Sequence, residues 1–212
     1  MGEIAISDHR STLSDFKELM KIASDAHIGG MISGKAGITH IHIGDGSDML
    51  SPLIQTLEHS ELPLCSVIPT HVNRNKKLFY EAINYCKKGG YIDLTAGQWD
   101  ERGFSVPDAI ELLLKNNIKL SRVTVSSDAN GSIPEGGVGE ICALFDDIRE
   151  CIINKGIDME IAISLITSNV AKFLKIYPKK GCLERGSDAD FIVLDRDLNI
   201  CKVISKGVIV HE

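Results

Sequence analysis

The chain has 212 residues, of which 43% are hydrophobic and 25% charged, and its net charge is −6. That length holds one large domain, or one domain with a small appendage, and the composition is that of a globular chain. The acidic balance and the lack of a basic block argue against nucleic acid as a partner; no apolar run approaches the roughly 18 residues of a membrane span; and "MGEIAISDHR" has no secretory character, so a cytoplasmic location is expected.

Taken in chain order, strand-like and helix-like segments alternate. "EIAISDHR" is a short apolar run that ends in polar residues. Helical spacing follows in "STLSDFKELMKIASDAH", with Ser14 as the expected cap and Lys17 where a capping box would place Glu. "GITHIHIGDG" precedes "MLSPLIQTLEHS", and "LCSVIPTHVNRN" precedes "KKLFYEAINYCKKGG", where Gly89 is a good terminator. "YIDLTAG" precedes "VPDAIELLLKNN", which has Pro107 near its first turn. "LSRVTVSSDANGS" precedes "GEICALFDDIRECIINKG", and a further single helix is expected from Asp158 through "DMEIAISLITSNVAKFLKI".

Five β-then-α units in a row imply an α/β fold with a parallel sheet and right-handed crossovers. The strand interiors are nearly continuous apolar runs, as expected when both faces are covered. From Gly181 the pattern changes to Gly-rich turns and short strands at Phe191 to Leu194, Ile200 to Ser205 and Val208 to Val210. The chain therefore divides into residues 1–180 and a small C-terminal β unit, 181–212.

None of the six cysteines forms a C-x-x-C pair, which argues against a structural zinc site. Most sit in apolar or helical surroundings, so reduced, partly buried thiols are expected.

Chemistry-bearing residues gather at the strand ends: Asp8, His9 and Arg10; His42 and Asp45; His71, Asn73 and Arg74; then Ser127, Asp128, Asn130 and Ser132. In parallel β/α folds, active sites lie beyond the carboxyl ends of the strands. Imidazoles with a carboxylate suit zinc and related ions, and a bound ion lowers the pKa of water towards about 7. An Asp nearby can take the water proton and return it to a leaving amine. Arg10 and Arg74 can each hold a carboxylate through a bidentate fork. Together they point to metal-assisted hydrolysis of an acidic amide. Each also has a structural reading: His42 as a hydrogen-bonded core histidine, His71 as a helix cap, Asp128 as an Asx-turn residue and Arg74 as the partner of a helix carboxylate.

"AISDHRS", "GITHIHIGD", "PTHVNRN", "GGYIDLTA" and "RVTVSSDANGS" resemble, in order, segments of the bacterial isoaspartyl dipeptidases of the amidohydrolase superfamily, and "GSDADFIVLD" resembles the superfamily's closing β segment. The resemblance implies a (β/α)8 TIM-type barrel with a small β domain, two zinc ions, and hydrolysis of β-aspartyl dipeptides by a metal-bridging hydroxide. It matches His42 and His71 to the ligands of the second metal. It matches Asp128 to the first metal's aspartate, which acts as general base and then acid. Arg10, Arg74 and Ser132 match substrate contacts. Glu3 stands where the best-known members carry a carbamylated bridging lysine, and its carboxylate is a substitute bridge. His40 falls where relatives have an apolar residue; it shares a strand face with His42 and is expected one layer deeper, either as a hydrogen-bonded core histidine or in a metal-shell or tuning role.

The five units match barrel units four to eight, whereas a complete barrel takes about 250 residues. By the resemblance, the front units supply the first metal's His-x-His, an acidic residue for the substrate's α-amino group and a tyrosine at the scissile carbonyl. Two other readings stand beside the dipeptidase. One is a catalytically incomplete fragment, or half of a split protein needing an N-terminal partner, expected to dimerise, aggregate or bind its other half. The other is an amidohydrolase acting on cyclic amides.

Overall fold

The computed structural model describes residues 1–2, 4–13, 15–97, 101–131 and 138–212. Five β-then-α steps open the chain. Strand β1 (Ile4–Ile6) leads to α1 (Phe16–Ser33), β2 (Thr39–Ile43) to α2 (Ser51–Glu58) and β3 (Val67–Thr70) to α3 (Lys76–Lys87). Strand β4 (Ile92–Thr95) leads to α4 (Val106–Lys115), and β5 (Val123–Ser126) to α5 (Cys142–Ile153). Helices α6 (Met159–Ser164) and α7 (Ser168–Phe173) follow, then β6 (Phe191–Leu194), β7 (Ile200–Ser205) and β8 (Val208–His211).

Parallel ladders join β1 to β2 and β2 to β3, and another joins β4 to β5. Strand β3 lies against β4, and side chains stitch the two together where no backbone ladder runs among the described residues. The Asn73 amide does this in both directions. Its Nδ2 donates to the Thr95 carbonyl at 3.0 Å, and its Oδ1 accepts from the Thr95 amide at 2.9 Å. A side chain thus supplies the donor and acceptor that a neighbouring strand would otherwise present.

Every residue of β3 and β4 is buried, as expected for strands covered on both faces. Phe79, Leu78, Ile92, Leu94, Ile110, Leu113 and Ile148 form the centre of the core between these strands and α3, α4 and α5. Close packing extends to backbone: an added Cβ at Gly30 of α1 would sit 2.2 Å from the Gly37 Cα, so glycine lets the end of α1 touch the lead into β2.

Helix starts follow side-chain chemistry, with one shift. Asp15, one residue after the expected Ser14, caps α1 by accepting from the Lys17 and Glu18 amides; Ser14 itself lies outside the described residues. Asn75, Ser105 and Asp158 cap α3, α4 and α6, and Gly89 follows α3 at φ +102°. The single helix expected from Asp158 is two helices. Between them the Leu165 carbonyl accepts from the Val125 amide at 3.2 Å, and the Ser164 and Thr167 hydroxyls bond back to the Ile161 and Ile163 carbonyls. Tertiary pairing with β5 takes a carbonyl that a continuous helix would use.

Strands β6, β7 and β8 form an antiparallel sheet whose residues are mostly exposed. Arg149 of α5 reaches its β6–β7 turn, donating to the Asp197 carbonyl and the Asn199 Oδ1. The cysteines are all free thiols, but only Cys86 and Cys151 are buried, while Cys65, Cys142 and Cys201 are exposed. No helix among the described residues is long and apolar enough to cross a membrane.

Candidate active site

The carboxyl ends of β1, β2 and β3 bring four of the expected residues together. Arg10 follows β1, His42 is the fourth residue of β2, and His71 and Arg74 follow β3. The register pairs His42 with Thr70, the residue before His71. His71 takes φ +62°, which turns the chain sharply out of the strand. The two imidazoles meet edge to face with ring centres 4.5 Å apart, and both side chains are buried.

Each ring is held from behind or beside. The Thr95 hydroxyl lies 2.7 Å from His71 Nδ1, so Nε2 is the nitrogen through which His71 would ligate an ion. Arg10 Nη2 lies 2.9 Å from His42 Nε2, and Arg74 Nη1 lies 3.5 Å from the same atom. A guanidinium only donates and a carboxylate only accepts, so Arg10 and Asp8 make opposite demands on the same Nε2: the first needs its lone pair and the second its proton. Arg74 Nη1 also donates to the Ile43 carbonyl at 2.9 Å, which anchors it to the end of β2.

Asp8 orders this cluster. Its Oδ1 accepts from the Arg10 backbone amide at 2.8 Å and from Nε at 2.9 Å, and its Oδ2 accepts from Nη2 at 3.0 Å. The same Oδ2 is 3.0 Å from His42 Nε2. The hydrogen bond from Arg10 holds the Asp8 carboxyl well below the usual carboxylate range, outweighing its desolvation.

His40, expected one layer deeper, is the more exposed of the two β2 histidines, its side chain 31% exposed against 11% for His42. Its Nε2 is 3.6 Å from Oδ2 of Asp93, a buried residue of β4. Asp93 also accepts hydrogen bonds from Thr70 at 2.7 Å and from Thr124 and Ser126 at 2.5 Å each. Burial opposes its ionisation, yet His40, Ser126 and Thr124 hold its carboxyl below the usual range.

Asp128 stands past β5 at φ +48°, and its carbonyl accepts from the Gly131 amide at 2.9 Å. A Cβ at Gly131 would meet Asp128 Oδ1 at 2.6 Å, so glycine there lets the carboxylate lie against the turn. Glu3 and Ser132 lie outside the described residues. No group of three or more His, Cys, Asp or Glu arranged to hold a metal occurs among the described residues. The pair that is present, two adjacent imidazoles with one ring braced by a hydroxyl, fits two ligands of a divalent ion in donor type.

Three contributors were not singled out from the sequence: Asp93 and Thr95 on β4, and Asp8 as the orienter of Arg10. The signal for Asp93 was present in "GGYIDLTA", since a charge inside an apolar strand must be paired.

A cleft of about 590 Å³ opens beside Asp8, between the segments that follow β1 and β2, and is lined by Ser7, Ser11, Asp15, Phe16, Asp48 and Gln55 among others.

The family model described as "Amidohydrolase family" matches residues 102–210, more than half of the chain. Two solved structures of a β-aspartyl dipeptidase from Fervidobacterium islandicum AW-1 are 39% identical to this chain. They superpose with TM-scores of 0.90 and 0.88, the first being a complex with a β-Asp-Leu dipeptide. All of this chain is covered, but only 57% and 56% of those chains, so it spans a little over half of their length. N-acetylglucosamine-6-phosphate deacetylase from Pasteurella multocida, at 12% identity and a TM-score of 0.64, shares the fold; the match covers all of this chain and 57% of that one. A curated relative, the L-hydantoinase of Paenarthrobacter aurescens, is 42% identical over 48 residues, which is 22% of this chain and 10% of that protein.

Proposed function

The chain belongs to the amidohydrolase family, and from that premise we propose that it takes part in metal-dependent hydrolysis of β-aspartyl (isoaspartyl) dipeptides. The observation that carries this reading is the joint placement of His42, His71, Arg10 and Arg74 at one end of the parallel strands. The likeness to the β-aspartyl dipeptidases over the full length of this chain supports the substrate class.

In this reading His42 and His71 would hold one divalent ion, zinc being the expected one, with Glu3 as the carboxylate shared with a second ion and Asp128 as a ligand of that second ion. The ion supplies Lewis acidity and lowers the pKa of water towards about 7. Asp128 takes the water proton and returns it to the departing amine. Arg10, oriented by Asp8, and Arg74, tethered to the Ile43 carbonyl, bind substrate carboxylates, with Ser132 as a further substrate contact. Thr95 keeps the His71 ring turned so that Nε2 is its ligating atom.

A second reading, hydrolysis of cyclic amides, is favoured by the 48-residue match to an L-hydantoinase. The two arginines weigh against it, because a neutral ring offers no pair of carboxylates for them.

The test is release of aspartate from β-Asp-Leu by the purified protein, before and after chelation and after zinc is restored. We expect release that is lost on chelation, regained with zinc and absent in His42→Ala and His71→Ala. Release that survives chelation ends the metal-dependent reading. Zinc binding without release favours a unit that works only with a further segment.

A further inference from the structure

We propose that Asp93 is a positioning residue whose carboxylate holds the ends of β3 and β5 in place, and with them His71 and Asp128. This rests on the reading of those two residues as part of the site.

Strand β4 supplies none of the residues expected to touch metal or substrate. It nevertheless carries one of the most heavily bonded side chains in the interior. Asp93 has no solvent contact to speak of, at 3% exposed. It accepts hydroxyl hydrogen bonds from Thr70 on β3 and from Thr124 and Ser126 on β5, and faces His40 on β2 at 3.6 Å. One carboxylate thus touches three other strands.

The places it touches matter. Thr70 immediately precedes His71, where the chain leaves β3. Ser126 is the last residue of β5, two before Asp128. No backbone ladder joins β3 to β4 among the described residues, so side chains tie those strands at this level: the Thr70 bond, the Asn73 amide bridge and the contact of the Thr95 hydroxyl with His71. A fully buried ionised carboxylate is tolerated only with several donors. Asp93 has those donors, and two of them, Thr70 and Ser126, are the last residues of their strands.

Two residues on from Asp93, Thr95 holds the His71 ring itself. Alternate residues of a strand share a face, so β4 presents Asp93 and then Thr95 towards the same neighbours. The first sets where the β3 terminus lies and the second sets which way its imidazole turns.

The experiment is residue-resolved amide exchange on the metal-free chain, wild type against Asp93→Asn, with Ile110→Ala as a control that removes core packing but none of these hydrogen bonds. Positioning predicts that Asp93→Asn raises exchange at 70–73 and 126–128 by at least about ten-fold beyond the rise in Ile110→Ala at matched global stability. The His71 imidazole ¹⁵N signals shift in Asp93→Asn and hold in Ile110→Ala. Uniform loosening throughout the chain, with unmoved His71 signals, overturns the inference. Should Asp93→Asn fail to fold, the double variant Thr70→Val, Ser126→Ala removes the same two tethers and is read in the same way. Zinc affinity of the wild-type chain is measured in parallel and tests the proposed site separately, because the exchange pattern does not depend on it.

Discussion

Asp8 and His42, separated by 34 residues in the chain, meet with 3.0 Å between Oδ2 and Nε2. Arg10 bridges them, donating to the carboxylate through Nε and Nη2 while Nη2 also lies 2.9 Å from the imidazole. The arginine proposed to bind substrate is therefore set by a carboxylate that also borders the ring proposed to ligate metal. Nε2 of His42 thus has a guanidinium and a carboxylate within 3.0 Å, and an ion bound there would have to displace at least one of them.

Asp8→Asn keeps the side chain's size but gives up the charged, two-pronged grip on Arg10. We expect kcat/KM for β-Asp-Leu to fall about ten-fold or more, with the loss carried mainly by KM. Steady-state kinetics on the purified variant checks this. An unchanged KM would mean that Arg10 is held by something other than Asp8.

Asp128→Asn retains shape and removes the proposed proton acceptor. Turnover should be abolished while most of the bound metal stays, because the two histidines remain. Elemental analysis beside an activity assay reads both. Retained turnover would remove Asp128 from the chemistry.

Asp147 gives a pH-dependent prediction away from the site. It is 2% exposed on α5, where its Oδ2 accepts from the Gly97 amide at 2.9 Å. Burial pushes its carboxyl up to about 6, with Glu150 and Asp146 adding to the rise and the Gly97 amide opposing it. The unfolded carboxyl ionises near 3.8, so between about pH 4 and 6 the folded state holds a proton the unfolded state has lost. Stability from this residue is full below pH 4 and declines as pH rises to 6. Asp147→Asn should accordingly raise stability above pH 6, by at most about 3 kcal/mol, with no gain below pH 4. Denaturant melts at pH 4 and 7.5 test it; equal shifts at both would contradict it.

Asn73→Ala deletes the amide that bonds Thr95 in both directions and also donates to the Phe104 carbonyl at 3.1 Å. Buried backbone groups would be left without partners, at a cost of about 2–4 kcal/mol. Thermal or urea unfolding measures it, and a loss under about 1 kcal/mol would show that the β3–β4 seam is held by other contacts.

Much of this architecture was legible in the chain. The alternation of apolar runs with 3.6-residue spacing located the five β-then-α steps, and turn residues located the tail strands. Asp158 and Gly89 marked helix boundaries by local chemistry alone. The break at Leu165 was not legible, because its cause is a bond to Val125, 40 residues away. The cap at Asp15 was displaced by one residue, since both Ser14 and Asp15 are competent caps. At the site, His42, His71, Arg10 and Arg74 could be read as one cluster because they follow successive strands. The grip of Asp8 on Arg10, and the hold of Asp93 on β3 and β5, depend on side-chain directions that spacing does not encode.

The most direct measurement is a comparison of kcat/KM for β-Asp-Leu, α-Asp-Leu and a hydantoin with the zinc-loaded protein. We expect turnover of β-Asp-Leu that exceeds both alternatives by at least about a hundred-fold, since a site built to hydrogen-bond two carboxylates leaves its donors unpaired with a substrate that lacks or misplaces them. Faster turnover of the hydantoin, or equal turnover of the α- and β-linked dipeptides, would contradict it.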